Sequence, residues 1–160
     1  MLLDPNYAPG ENTLLNVEAV GRVLGREIIA VKAASERDFD AALTKVVQVG
    51  AGALLVSGSP FFTSHRRALV ALAARHAIPA SYDLRDFVEA GGLISYGASL
   101  SHAYRHAGDY IGRILKGEKP ANLPVQQSTT FELAINLSAA KALGITTPAS
   151  LFARTDEVIE

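Results

Sequence analysis

Short apolar runs alternate with amphipathic stretches along this chain, and that alternation restricts its fold more than any other feature. "EIIAVK" (27–32), "ALLV" (53–56), "IPASY" (78–82) and "LISY" (93–96) are strand-length segments bounded by small or polar residues. The uniformly apolar "ALLV" suits a strand buried on both faces of a parallel sheet. Behind Ser35, the residues Phe39, Ala42, Leu43, Val46 and Val47 fall at i, i+3, i+4, i+7 and i+8, which is the spacing of one helix face. Ser35 and Asp38 read as a capping box, with Ser35 Oγ accepting from a first-turn N–H and Asp38 reaching back. Asn12 or Thr13 is expected to cap a helix carrying Leu14, Val17, Val20 and Leu24. Ser64 is expected to cap a helix over 65–76, with Leu69, Leu72 and Ala73 inward. A short helix over 85–90 and a long one over 101–116, closed by Gly117, come next. Residues 1–3 read as a stub strand, and Phe131, Leu133 and Ile135 alternate as a half-buried strand. Asn136 caps a last helix to Leu143, and "PASLFARTDEVIE" is expected to be a helical turn and a tail. Strand–helix alternation of this kind packs as an α/β domain. The expected fold is a three-layer parallel sheet flanked by helices, flavodoxin-like in class.

Composition narrows the function classes. The chain has 160 residues, 49% hydrophobic and 19% charged, which is globular and large enough for a core without staples. Its formal net charge of -1, from 15 basic and 16 acidic side chains, gives no footprint for nucleic acid or an anionic membrane. Cysteine is absent, which excludes thiolate catalysis, disulfides and cysteine-type zinc sites. No apolar run approaches the ~18 residues of a membrane span. "MLLDPNYAPG" lacks the basic start of a signal peptide. Residues 1–3 look like the end of a strand that has lost its beginning, as in a trimmed chain or a reading frame opening inside a longer architecture.

Ligands of open α/β sheets sit outside the carboxyl ends of the strands. Those ends carry Asp4-Pro5-Asn6, Ala33-Ala34-Ser35, Ser57 to Phe62, Tyr82-Asp83 and Tyr96-Gly97. Small, hydroxyl-bearing and aromatic residues with one or two carboxylates suit a small ligand with an apolar body and a polar head. Each loop taken alone also reads as ordinary helix capping; their co-location is the stronger observation. Of Phe61 and Phe62, one is expected to face the core and the other the cleft. Asp83 either pairs with Arg85 or offers its carboxylate to a ligand amine. Ser57-Gly58-Ser59 does not match the G-x-S-x-G elbow, and no dinucleotide or Walker glycine pattern appears, so no catalytic residue and no cofactor is assigned. His102 and His106 share a helix face, as metal ligands can, but no third ligand has fitting spacing, so a solvated or packed face is expected and no metal is assigned.

The segments "LISYG", "GRILKGEKPANLPVQQSTTFELAINL" and "AAKALGITTP" carry a resemblance that runs over the chain from Leu2 to Glu160. It resembles the ABC-transporter substrate-binding proteins of the type I periplasmic-binding-protein class, in the branch associated with tryptophan or tyrosine uptake. The resemblance implies two similar lobes with ligand between them, of which this chain is the C-terminal one. It implies a ligand-binding lobe over 1–100, a helix and connector over 101–124 crossing to the other lobe, and a strand–helix return over 125–160. Ligand-facing positions then correspond to Asp4, Asn6, Ser57, Ser59, Phe61, Phe62, Tyr82, Asp83 and Tyr96.

The function expected on this basis is solute binding for an ABC importer. An amino acid, with aromatic ones the first guess, is the expected ligand and an ABC permease the expected partner. A ligand-sensing regulatory domain of the same fold is the alternative, and a small flavodoxin-like enzyme a weaker one. The family setting implies the periplasm; a reading frame that truly starts at Met1 implies the cytoplasm. The apolar face of the 101–116 helix (Tyr104, Ala107, Ile111, Ile114, Leu115) has no expected cover, so a homodimer through that helix is anticipated.

Overall fold

The computed structural model describes residues 1–126 and 130–160. Strand β1 (Leu2–Leu3) is followed by α1 (Pro9–Val23), β2 (Val31–Lys32), α2 (Asp38–Gln48) and β3 (Leu54–Leu55). Two consecutive helices, α3 (Pro60–Ser64) and α4 (Arg66–Arg75), lead to β4 (Ala80–Tyr82), α5 (Arg85–Glu89) and β5 (Ile94–Ala98). Helix α6 (Leu100–Leu115) and a 3-10 turn (Pro120–Asn122) precede β6 (Phe131–Asn136), α7 (Leu137–Ala142), α8 (Ala149–Phe152) and β7 (Glu157–Ile159).

β1 pairs with β2, and β3 to β7 run in sequence order. A parallel bridge between Leu2 and Val56, with the Ser57 N–H donating to the Leu2 carbonyl, joins the two sets. The order is thus β2-β1-β3-β4-β5-β6-β7, and its first five strands follow the flavodoxin-like 2-1-3-4-5 arrangement. The pairing is parallel except between β5 and β6, so the α/β class holds with one antiparallel junction. The expected C-terminal tail is instead a strand: β7 pairs with β6 from Ala134↔Glu157 to Asn136↔Ile159.

The core lies on one face of this sheet. Leu54, Val56, Ala80 and Tyr82 point there and meet Phe39, Leu43 and Val46 of α2, Leu69, Val70 and Ala73 of α4, and Phe87 of α5. The helical spacing anticipated for α2 is met at Phe39, Ala42, Leu43 and Val46; Val47 is half exposed at the edge of the stripe. The cap before α2 differs in detail. Asp38 reaches back to the N–H groups of Ala34 and Ser35, but Ser35 Oγ donates to Asp38 and does not accept from the helix. Those bonds, the Ser35 hydroxyl first, hold the Asp38 carboxyl below the usual carboxylate range.

The opposite face is thinly covered. Leu55, Tyr96 and Phe131 remain partly exposed, and α1 leaves Leu15, Val20, Val23 and Leu24 in solvent. Of the apolar residues that α1 was expected to carry, Val20 and Leu24 stand in solvent. The start of α1 is corrected: Pro9 occupies the first turn, where its missing N–H costs nothing. Helix α6 buries no residue, and its Tyr104, Ile111, Ile114 and Leu115 stand in solvent.

Backbone crowding sets the spacing between β4 and β5. A Cβ on Gly97 would lie 1.8 Å from the Asp83 carbonyl oxygen, whereas one on Gly108 of α6 would meet nothing within 4 Å. Gly97→Ala is therefore expected to cost at least about 2 kcal/mol in urea denaturation, as overpacking against backbone does. Gly108→Ala is expected to stabilise by about 0.5–1 kcal/mol through helix propensity alone. Equal effects from the two substitutions would contradict the packing described.

Candidate functional site

Between β1 and β3 the chain reverses the direction in which strands are added, and α/β sheets hold ligands in the crevice at such a switch point. Here the carboxyl ends of both strands are tied together. Asp4, just past β1, is buried; its Oδ1 accepts from the Asn6 N–H at 2.9 Å and its Oδ2 from Ser59 Oγ at 2.7 Å. Ser59 is also the N-cap of α3, its Oγ accepting from the N–H groups of Phe61 at 3.1 Å and Phe62 at 3.4 Å. The cap expected of Ser64 is not made: α4 starts after His65 with no side-chain cap, and Ser59 caps the separate helix α3. Ser64 Oγ instead donates back to the Phe61 carbonyl.

A cleft of about 610 Å³ opens at this edge. Tyr7, Pro9 and Thr13 form one side, Gly58 to Pro60 with Thr63, Ser64 and Arg66 the floor, and Asp83 and Leu84 the other side. Asp83 Oδ1 is buried and has no hydrogen-bond partner among the described residues. Arg85 does not pair with Asp83: it reaches Glu89 at 2.8 Å and Glu157 at 2.6 Å. Burial pushes the Asp83 carboxyl above the usual carboxylate range, with a smaller push from Asp86, against the pull of its own and the Leu84 backbone N–H groups. Gly58 leaves room for this side chain, since a Cβ there would sit 2.6 Å from Asp83 Oδ2. Arg66 Nη1 donates to the Thr63 carbonyl at 3.1 Å, which holds a cation on the same cleft.

The nine positions expected to face ligand therefore divide. Ser59 and Asp83 line the cleft, and Asp4 stands behind Ser59 as its hydrogen-bond acceptor. Asn6 is exposed and supplies its N–H to Asp4. Ser57 is buried beside the Leu2 carbonyl, its hydroxyl without a partner among the described residues. Phe62 faces the core as one of the pair was expected to, while Phe61 is partly buried and outside the cleft lining. Phe62 is fully buried, Phe61 packs on the same cluster, and both rings stand within 6.0 Å of Phe39 by centroid. Tyr82 is likewise a core residue, stacked on Phe87 at 4.6 Å, and burial raises its hydroxyl pKa far above normal. Tyr96 is exposed and stacks on Phe131 at 5.8 Å, outside the cleft lining. Tyr7, Thr13, Thr63 and Arg66 line the cleft and were not anticipated; the i, i+3 spacing of Thr63 and Arg66 was their visible signal.

Ser59→Ala removes the cap of α3 and leaves the buried Asp4 carboxylate short of a donor. The expected loss is about 2–3 kcal/mol by chemical denaturation, combining the usual cost of a lost cap with that of an unsatisfied charged acceptor. Ser59→Thr, which keeps the hydroxyl, is expected to recover most of it.

Solved structures share this architecture. The chain superposes on a conserved domain protein from Vibrio cholerae O1 biovar El Tor with a TM-score of 0.84 and 22% identity, over 98% of this chain and 53% of the other. The ABC domain in complex with L-Trp from Streptococcus pneumonia gives 0.84 and 25%, over 99% and 55%. The ligand-free, open form of a substrate binding protein with adhesive properties from Clostridium difficile gives 0.70 and 18%, over 99% and 52%. The chain thus spans about half the length of the solved structures it matches. No curated protein matches it. The family model for ABC transporter substrate binding proteins matches residues 7–159, and the chain belongs to that family.

Proposed function

We propose that this chain is the C-terminal, ligand-gripping lobe of a solute-binding component that serves an ABC importer outside the cytoplasmic membrane, and that its solute is an amino acid. Asp83 carries this reading: a carboxylate with a buried, unpartnered oxygen, beside hydroxyl groups, at the switch point of the sheet. Such a group is unfavourable in the empty protein and becomes favourable when a cation arrives. The ligand ammonium goes to Asp83. The ligand carboxylate goes to Arg66 and the hydroxyls of Thr13, Thr63 and Ser64 on the same wall. An aromatic amino acid is the first candidate, because L-Trp occupies the Streptococcus pneumonia neighbour; on this wall Tyr7, Pro9, Pro60 and Leu84 are the apolar surfaces available to a ring.

Binding, not catalysis, is the favoured reading. The Ser59 hydroxyl donates to Asp4 and accepts from the first turn of α3, so it is held as a cap and not presented as a nucleophile. A sensing domain of the same fold would use the same cleft and differ only in what it is attached to. The gene neighbourhood separates these two: a permease and ATPase beside the gene favour transport. A wall without its facing lobe leaves the ligand half hydrated, so the 160 residues alone bind weakly.

The raised Asp83 pKa makes stability depend on pH. A carboxyl that holds its proton more tightly folded than unfolded lowers stability as pH rises from the unfolded pKa through the folded one. Asp83→Asn, near-isosteric with the neutral acid, is expected to raise the melting temperature of the ligand-free protein at pH 7 by a few degrees. The same change is expected to abolish the thermal shift given by amino acids at millimolar concentration. A variant that still responds to amino acids rejects Asp83 as the ammonium partner. A wild-type protein that responds to none of them rejects the amino-acid reading itself.

The uncovered face of α6 leads to a second proposal. In the two-lobed arrangement this helix packs on the other lobe; in the 160 residues alone it pairs with a second copy. Light scattering at high concentration is expected to give a dimer, and Ile111→Glu a monomer with an unchanged far-UV spectrum.

A further inference from the structure

We infer that His102 and His106 form a two-histidine binding site for a divalent transition-metal ion of the zinc, nickel or copper type. The two residues lie one turn apart on α6, and their Nε2 atoms converge to 3.3 Å while the ring centroids stay 4.4 Å apart. The rings therefore lean together at the nitrogen that coordinates. Two bonds of about 2.0–2.1 Å meeting at a tetrahedral angle place their nitrogens about 3.3–3.4 Å apart. The pair already has that separation, so side-chain rotation alone brings both nitrogens onto an ion. In the metal-free protein one ring shares an Nε2–H with the other. Binding replaces that proton by the ion: the donor ring's proton moves by way of solvent to its own Nδ1, and the acceptor ring already carries its proton there.

Thr130 Oγ1, immediately before β6, stands 3.5 Å from His102 Nε2 and adds an oxygen from a second element. Of the four histidines in the chain, this is the pair whose nitrogens converge. His76 is already engaged with Asp40, which also pairs with Arg75, and His65 Nδ1 contacts the Phe61 carbonyl. Among the described residues no set of three histidine, aspartate or glutamate side chains is placed to share an ion. The site is therefore open, with two protein nitrogens and the remaining positions left to water. Imidazole ligands accept zinc, copper and nickel alike, and the order of affinity follows the metal, with copper tightest.

The location gives the site its role. The N-cap Ser99 opens α6, and the Ser99 N–H donates to the Thr130 carbonyl at 3.0 Å. The ion thus sits where the chain leaves the sheet as α6 and returns to it as β6. Occupancy ties two successive turns of α6 to each other beside that junction. The inference is independent of the ligand cleft, because no residue is shared between the two.

Calorimetric titration of the full chain with zinc chloride and copper chloride is the test, with hydrogen exchange of α6 as a second readout. One ion per chain is expected, with copper tighter than zinc. His102→Gln and His106→Gln are each expected to weaken binding at least about tenfold, the least that losing even an outer partner of a metal site costs. His76→Gln is expected to leave it unchanged, and zinc is expected to slow exchange in the first turns of α6 in the wild type only. All three histidines are on surface helices or their ends, so unchanged circular dichroism is the check on folding. Binding that survives both His102→Gln and His106→Gln, or no binding by the wild type at millimolar zinc, overturns the proposal.

Discussion

The hydrogen bond from Ser59 Oγ to Asp4 Oδ2, 2.7 Å long and buried, holds the two strands of the switch point in register at their carboxyl ends. β1 and β3 share little else: one bridge at Leu2 and Val56 and the bond from the Ser57 N–H to the Leu2 carbonyl. Strands this short leave most of their register to be fixed by the loops at their carboxyl ends. A charge-assisted bond in a site closed to water is worth more than a neutral one at the surface. The same hydroxyl starts α3, so one serine fixes the strand pairing, the direction of the helix and the floor of the cleft.

The second constraint is backbone proximity around Asp83. Gly58 on one side and Gly97 on the other have no side chain, and neither position tolerates one without displacing Asp83. The carboxylate is therefore positioned by close packing, while Arg85, the nearest cation in sequence, is drawn off to Glu89 and Glu157. A residue whose charge is left unanswered by an otherwise well-paired neighbourhood stores a binding preference. If the proposed ligand cation docks there, the residue's stability cost in the empty state is recovered, as linkage requires.

How much of this was legible in the sequence depended on whether the deciding contacts were local. The α2 stripe from Phe39 to Val46 is local periodicity and reads directly. The convergence of Asp4, Ser59 and Asp83 on one edge follows from the parallel topology alone, since carboxyl ends of parallel strands share an edge. Other features depend on partners distant in the chain. "EVI" at 157–159 is a strand only because β6 offers it an edge. Ser64 is a good cap by type, but its hydroxyl turns back to the Phe61 carbonyl and α4 starts without a side-chain cap. Phe61 and Phe62 looked like a core–cleft pair because neighbouring side chains diverge. They sit on a helix, where adjacent residues are about 100° apart, and both reach Phe39. Asp83 and Arg85 are two apart in sequence, and nothing local reveals that Glu157 competes for the arginine.

The uneven covering of the sheet connects the fold to its relatives. One face is closed by α2, α4 and α5, while the other leaves Leu55, Tyr96 and Phe131 partly bare, and α6 stands away with an apolar stripe in water. A domain selected to stand alone would not keep a sixteen-residue amphipathic helix without burying any of it. The solved structures it matches are about twice as long, which is the proportion expected if half of each supplies the facing surface. In the two-lobed arrangement proposed above, α6 and β6 are the crossing segments, so the packing of α6 against β6 acts on the angle between the halves. On that proposal, ligand grip depends on two separate parts of this chain: the Asp83 cleft, which sets what is held, and the α6–β6 junction, which sets how the opposite wall closes on it.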